Sequence, residues 1–167
     1  WFHTKLESIP QEIPYVQSKQ EEATSWARQL RQLDPQGKVR IGVVWAGNAA
    51  HSNDVNRSLA VSYLQPLFQQ QEFCWLSLQV GERAKDIKKL PAQAVISDMS
   101  LYLTDFAATA AVIANLDLVL TVDSAVAHLA GAMGKKTWLL LPFNPDWRWL
   151  LEREDSPWYP SMRLFRQ

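Results

Sequence analysis

Asp123, Ser124 and His128 stand close together at the end of an apolar run, Leu116–Val122, and the start of a small-residue stretch closing at Gly131 and Gly134. An acid, a hydroxyl and an imidazole so spaced predict a buried strand running into a helix, with polar groups gathered where the strand stops. In open α/β sheets this carboxyl edge is where ligands sit. A helix N-terminus there offers unpaired N–H groups and the positive end of its dipole to an anion. The chemistry expected is therefore the binding of a phosphorylated ligand. Asp123 and Ser124 are equally suited to capping the helix, and a lone helical histidine is often only packed. With no Gly-x-Ser-x-Gly elbow, a Ser–His hydrolase is disfavoured.

A second strand end carries a cation. The run Val39–Trp45 stops at Ala46-Gly47-Asn48, and a polar loop leads through His51 to Arg57 and Ser58. Gly47 permits a sharp turn and close backbone approach to a ligand, and the guanidinium fork of Arg57 suits phosphate oxygens. The plainer reading of Arg57 is a solvated loop residue. Gln79-Val-Gly81-Glu82 follows the next strand; Glu82 could accept from ribose hydroxyls or offset the dipole of its own helix. His3, His51 and His128 are scattered, and no Asp-x-Asp pair occurs, so no metal spacing is seen. The absence of Gly-x-Gly-x-x-Gly counts against a dinucleotide dehydrogenase.

The elements that must position these groups alternate. Ser18-x-x-Glu21 reads as a capping box opening a helix to about Leu33. Strands are predicted at Val39–Trp45, Phe73–Leu78, Ala94–Ser97, Leu116–Val122 and Thr137–Leu141, with a last extended segment at Met162–Phe165. Helices are predicted at Val61–Gln70, Gly81–Leu90, Asp105–Asn115, after Asp123, and briefly at Trp147–Glu152. Near-continuous apolar strands separated by helices read as βαβ units on a parallel sheet. Residues 1–17, with Pro10 and Pro14 and no period, read as a linker or extended arm, and 18–167 as a single domain.

The chain has 167 residues, enough for one domain with a proper core. Its 17 basic and 17 acidic residues cancel, which argues against a nucleic-acid groove. The single cysteine, Cys74, lies in an apolar run and is expected to be a buried structural thiol, in keeping with a reducing compartment. No segment approaches the ~20 apolar residues of a membrane span, and the N-terminus lacks the pattern of a signal peptide. The expected location is the cytoplasm. The missing initiator methionine suggests a piece of something longer. The late aromatics Trp147, Trp149, Trp158 and Tyr159 could stack on a ligand or pack the chain end onto the domain. The charges from Asp146 to Asp155 read as a solvated ion-pair surface.

VRIGVVWAGN, NRSL, FCWLSLQVGE, LDLVLTVDSAVAHLAGAMGKKTWLLLPFNPDWRWL and DSPWYPSMRLFRQ together resemble the C-terminal half of glycosyltransferase family 9 proteins, which include the lipopolysaccharide heptosyltransferases. The likeness is greatest to a bacterial branch in which this module follows tetratricopeptide repeats. The resemblance implies the GT-B architecture, two Rossmann-like domains facing across a cleft, the C-terminal one binding a nucleotide-diphosphate sugar without a metal or further cofactor. The donor-binding set it implies is Gly47, Asn48, Arg57, Ser58, Gln79, Glu82, Asp123, Ser124, Ala125 and His128. Ser124 takes the place of a threonine usual in heptosyltransferases, and Ala125 that of a glycine. Arg57 stands near the family's donor-phosphate lysine, and Glu82 near its nucleotide- or sugar-contacting acid.

Loss of the nucleoside diphosphate builds negative charge, which Arg57 and a helix N-terminus would stabilise. The base for the acceptor hydroxyl would come from an N-terminal domain, so the chain alone is expected to bind donor and catalyse little. The implied partners are the nucleotide sugar, that N-terminal domain and the tetratricopeptide repeats. A catalytically silent nucleotide-binding or protein-interaction module is the competing reading. A sugar-nucleotide epimerase would need further acids and a histidine in the cleft.

Overall fold

The computed structural model describes residues 5–166. A sheet of six parallel strands runs in the order β3-β2-β1-β4-β5-β6. The strands are β1 Val39–Val44, β2 Phe73–Ser77, β3 Ser97–Asp98, β4 Leu118–Val122, β5 Thr137–Leu141 and β6 Met162–Arg166. The α-helical segments are α1 Gln20–Leu33, α2 Asp54–Arg57, α3 Gln65–Phe68, α4 Phe106–Ile113 and α5 Ala125–Ala132. This is the parallel α/β sheet that the alternation predicts, in the Rossmann-like form that the resemblance implies.

Alternation along the strands feeds cores on both faces of the sheet. On one face Val44, Leu76 and Val119 pack against Leu30 of α1, Val112 and Ile113 of α4 and Ala130 of α5. The other face carries Ile41, Val43, Trp75 and Leu120 under Val61, Leu64 and Phe68. A third cluster joins Ala127 and Ala132 of α5 to Leu139, Leu141, Met162 and Leu164, and holds the buried Trp149 and Tyr159. Part of the late aromatic group is therefore core, while Trp147 stays exposed. Three ion pairs, Arg148–Asp146, Arg153–Asp155 and Arg163–Glu154, occupy the expected charged surface.

Several local expectations are corrected. Ser18 does not cap α1: the helix starts one residue later, its N-cap is Lys19, and no side chain caps it. Glu21 and Glu22 fall in the first turn, where their charge offsets the dipole. The helix expected over Val61–Gln70 is a 3-10 turn, Val61–Leu64, running into the short α3, with Pro66 in its first turn. The stretch expected as helix over Gly81–Leu90 is a 3-10 run, Glu82–Lys89, strapped by Lys85–Glu82 and Lys89–Asp86 pairs three residues apart. The third strand lies later than Ala94–Ser97, at Ser97–Asp98, where Leu76 and Ser77 of β2 set its register.

Cys74 is half-buried rather than buried and packs beside the first core, where burial pushes its thiol up. In the N-terminal stretch, the N–H groups of Tyr15 and Val16 donate to the Ala132 carbonyl at the end of α5. No helix of the described residues is long and apolar enough to cross a membrane.

Candidate functional site

The strand order reverses direction at β1, which lies between β2 and β4. At that point the connections leave the sheet on opposite faces and open a crevice at the carboxyl ends. A cleft of about 740 Å³ lies there, lined from the loops after β1, β2 and β4 and from the start of α4. Of the predicted set, Gly47, Asn48, Arg57, Gln79, Glu82, Ser124 and Ala125 line it; Ser58, Asp123 and His128 do not.

The loop after β1 is tied internally before it offers anything to a ligand. The side-chain Oδ1 of Asn48 accepts from the Ala50 N–H (3.0 Å) and the Ser58 hydroxyl accepts from the Gly47 N–H (3.0 Å). The same hydroxyl donates to Oδ1 of the buried Asp54 (3.0 Å). Leu59 returns its N–H to the Trp45 carbonyl at 2.7 Å, which closes the loop onto the end of β1.

Arg57 ends α2 and reaches across the switch point. Its Nη1 donates to the Asp123 carbonyl at 3.4 Å, and its Nε lies 3.4 Å from Asp54 Oδ1. The guanidinium lies on Gly47, where an added Cβ would stand 2.6–2.7 Å from Nη2, Cζ and Nε. A larger residue at Gly47 would have to displace the cation. Arg57 is thus fixed between the loop after β1 and the end of β4. It is not the freely solvated arginine of the plainer reading.

Gln79 is buried and serves the cleft as a brace. Its Oε1 accepts from the Trp45 and Ala46 N–H groups at 3.2 and 2.9 Å, and its Nε2 donates to the Val80 carbonyl. This amide adds to the ladder bonds, such as Leu78 N–H to the Val43 carbonyl, that hold the end of β1 to the end of β2. Glu82, beyond Gly81, is on the open rim and engaged by Lys85 at 2.9 Å.

At the third strand end, Ser124 occupies the N-cap position of α5 without bonding to the helix backbone. Its hydroxyl pairs instead with Thr121 Oγ1 at 3.0 Å. The capping role considered for it is not taken up. The first turn of α5 therefore presents N–H groups that no Ser124 side chain satisfies, beside the Arg57 cation.

His128 points to a different neighbourhood. Its Nδ1 is 3.0 Å from the Tyr159 hydroxyl, and its ring stacks on Trp149 with centroids 5.3 Å apart. Burial lowers its pKa, Arg148 adds to the effect, and Asp123 and Asp146 oppose it. Burial likewise holds the Tyr159 hydroxyl protonated well above the usual phenol range.

Two residues of the site were not singled out in the sequence. Asp54 is buried at 3% exposure and Arg83 lines the cleft, with Nη2 3.8 Å from Asp54 Oδ2. Their link joins separate loops, so spacing alone carried no signal. Among the described residues no cluster of three or more His, Cys, Asp or Glu side chains is arranged to hold a metal.

Residues 4–140 match the profile of glycosyltransferase family 9 (heptosyltransferase). The chain is similar to Protein FlbA of Caulobacter vibrioides, 26% identical over 166 residues, which covers 95% of this chain and 27% of that protein. Among solved structures it resembles ADP-heptose LPS heptosyltransferase II of E. coli, with a TM-score of 0.65 and 17% identity over 96% of this chain and 48% of that one. It also resembles the family 9 glycosyl transferase of Veillonella parvula, with a TM-score of 0.60 and 12% identity over 90% and 42% of the two chains. The chain thus spans about 27% of the curated relative and under half of each solved structure.

Proposed function

Because the chain belongs to glycosyltransferase family 9, the heptosyltransferase family, we propose that it is the donor-binding half of an enzyme moving a sugar from a nucleotide diphosphate to an acceptor hydroxyl. The observation that carries the reading is Arg57, seated on Gly47 and bonded to the Asp123 carbonyl, so that a cation faces the first turn of α5 across the switch point. As the glycosidic bond breaks, the departing diphosphate gains charge. A guanidinium already held in place stabilises that charge with little reorganisation.

In this proposal the diphosphate lies between Arg57 and the N-terminus of α5, with Ser124 and Ala125 beneath it, while Glu82 at the rim takes ribose hydroxyls. A second, N-terminal domain supplies the acceptor site and the general base. The present chain by itself then binds donor and transfers nothing, and tetratricopeptide repeats of the same polypeptide are a further expected partner.

Calorimetric titration with UDP, GDP, ADP and CMP tests the reading. Saturable binding of one diphosphate, weakened about tenfold by Arg57→Ala, is expected. If neither this chain nor the full-length protein bound any of them, the donor reading would be abandoned. Binding without sugar transfer by the full-length protein would favour a silent nucleotide-binding module.

A further inference from the structure

Four charged side chains line the cleft: Arg57, Glu82, Arg83 and Asp105. Both acids are already engaged. Glu82 pairs with Lys85 at 2.9 Å, and Asp105 caps α4 by accepting from the Ala108 N–H at 2.7 Å. The two arginines of the lining meet on one buried carboxylate, Asp54. Asp54 Oδ1 lies against Ser58 and Arg57, and Oδ2 faces Arg83.

The two arginines are not equivalent. The Arg57 side chain is 16% exposed and immobilised by Gly47, Asp54 and the Asp123 carbonyl. Arg83 is 41% exposed, and its 3.8 Å approach to Asp54 is an ion pair longer than a hydrogen bond. Its fork keeps its donors for another acceptor. It also arises from a separate segment, the start of the 3-10 run Glu82–Lys89, entered through Gly81, whose φ of 72° is open to glycine at no steric cost. Two guanidinium groups share one buried carboxylate where the segments after β1 and β2 meet, an arrangement suited to an anion with two charged groups.

We propose that Arg83 is the second phosphate-binding cation of the site, taking one phosphate of a diphosphate while Arg57 holds the other, with Asp54 setting the spacing between them. This rests on the donor-site reading above. It makes Arg83 the residue by which the site distinguishes diphosphates from monophosphates. Arg57, held beside the N-terminus of α5, serves both. Arg83 closes onto the outer phosphate group and releases its long contact with Asp54.

The test is a titration of the wild type, Arg83→Ala and Arg83→Gln with ADP and AMP, UDP and UMP, GDP and GMP, and pyrophosphate and orthophosphate. Arg83→Ala is expected to weaken the bound diphosphate and pyrophosphate about tenfold and to leave the matching monophosphate within about twofold. Arg83→Gln keeps a donor toward Asp54 and loses the charge; it guards against misfolding of the alanine variant and should show the same selective loss. Equal weakening of both ligand classes, or no change in either, overturns the role of Arg83 and leaves the donor reading standing. Failure of both this chain and the full-length protein to bind any of these ligands overturns both.

Discussion

The Arg57 guanidinium occupies the space that a side chain at Gly47 would need, with three of its atoms 2.6–2.7 Å from where a Cβ would stand. The obstructing group is the far end of a flexible side chain. Gly47→Ala is therefore expected to cost less than about 1 kcal/mol of stability, because the cation moves and the core does not. The displaced cation should reduce diphosphate affinity about tenfold. Urea unfolding together with calorimetry on the one variant checks both halves; a large stability loss would show that the loop cannot yield.

The corresponding contact at Gly131 should behave in the opposite way. A Cβ there would lie 2.4–2.9 Å from Cγ, Cδ1 and Cδ2 of Tyr159, the base of a ring buried at 9% exposure. Such a ring cannot swing clear without leaving the third core. Gly131→Ala is expected to destabilise the domain by about 1–3 kcal/mol, read as a lower urea midpoint with unchanged slope.

Gln79 offers a test of the brace. Gln79→Met keeps the volume and removes the acceptor for the Trp45 and Ala46 N–H groups. Buried donors left unpaired should cost about 1–3 kcal/mol. A Met variant as stable as the wild type would mean that other acceptors reach those two groups.

His128 gives a pH dependence with a definite sign. Burial lowers its folded-state pKa below the ordinary 6.5, so the unfolded chain takes up the proton first. Its contribution is fully present above about pH 6.5 and is lost as the pH falls below that value. The groups that bear on it are Asp123, Arg148 and Asp146, with the Tyr159 hydroxyl bonded to Nδ1. Thermal midpoints between about pH 7.5 and 5.5 should fall more steeply in the wild type than in His128→Gln. Parallel profiles would refute the assignment.

The strands were legible because a parallel sheet buries both faces, so β1, β2, β4 and β5 stand out as apolar runs. The short β3, Ser-Asp, has no such mark and exists because β2 offers it a ladder. The stretch Glu82–Lys89 looked α-helical by composition, and its i,i+3 ion pairs sit on a tighter 3-10 run. At the site, the residues beside strand ends could be read from position alone. The links Arg57–Asp54–Arg83 and His128–Tyr159 could not, because each joins segments whose approach is decided by the sheet order.

The central place of β1 also governs when the site can exist. Its Arg40 N–H is satisfied by the Asp117 carboxylate, 77 positions further along the chain, and Ile41 to Val44 pair with β4 from Leu118 onward. Closing so long a loop costs entropy before any contact repays it, and such topologies fold slowly. During synthesis the loop carrying Arg57 emerges early and waits for β4 to seat its cation against Asp123. A nascent chain stopped before that strand carries Arg57 without the Asp123 carbonyl that holds it, so the cleft is assembled only with the completed sheet.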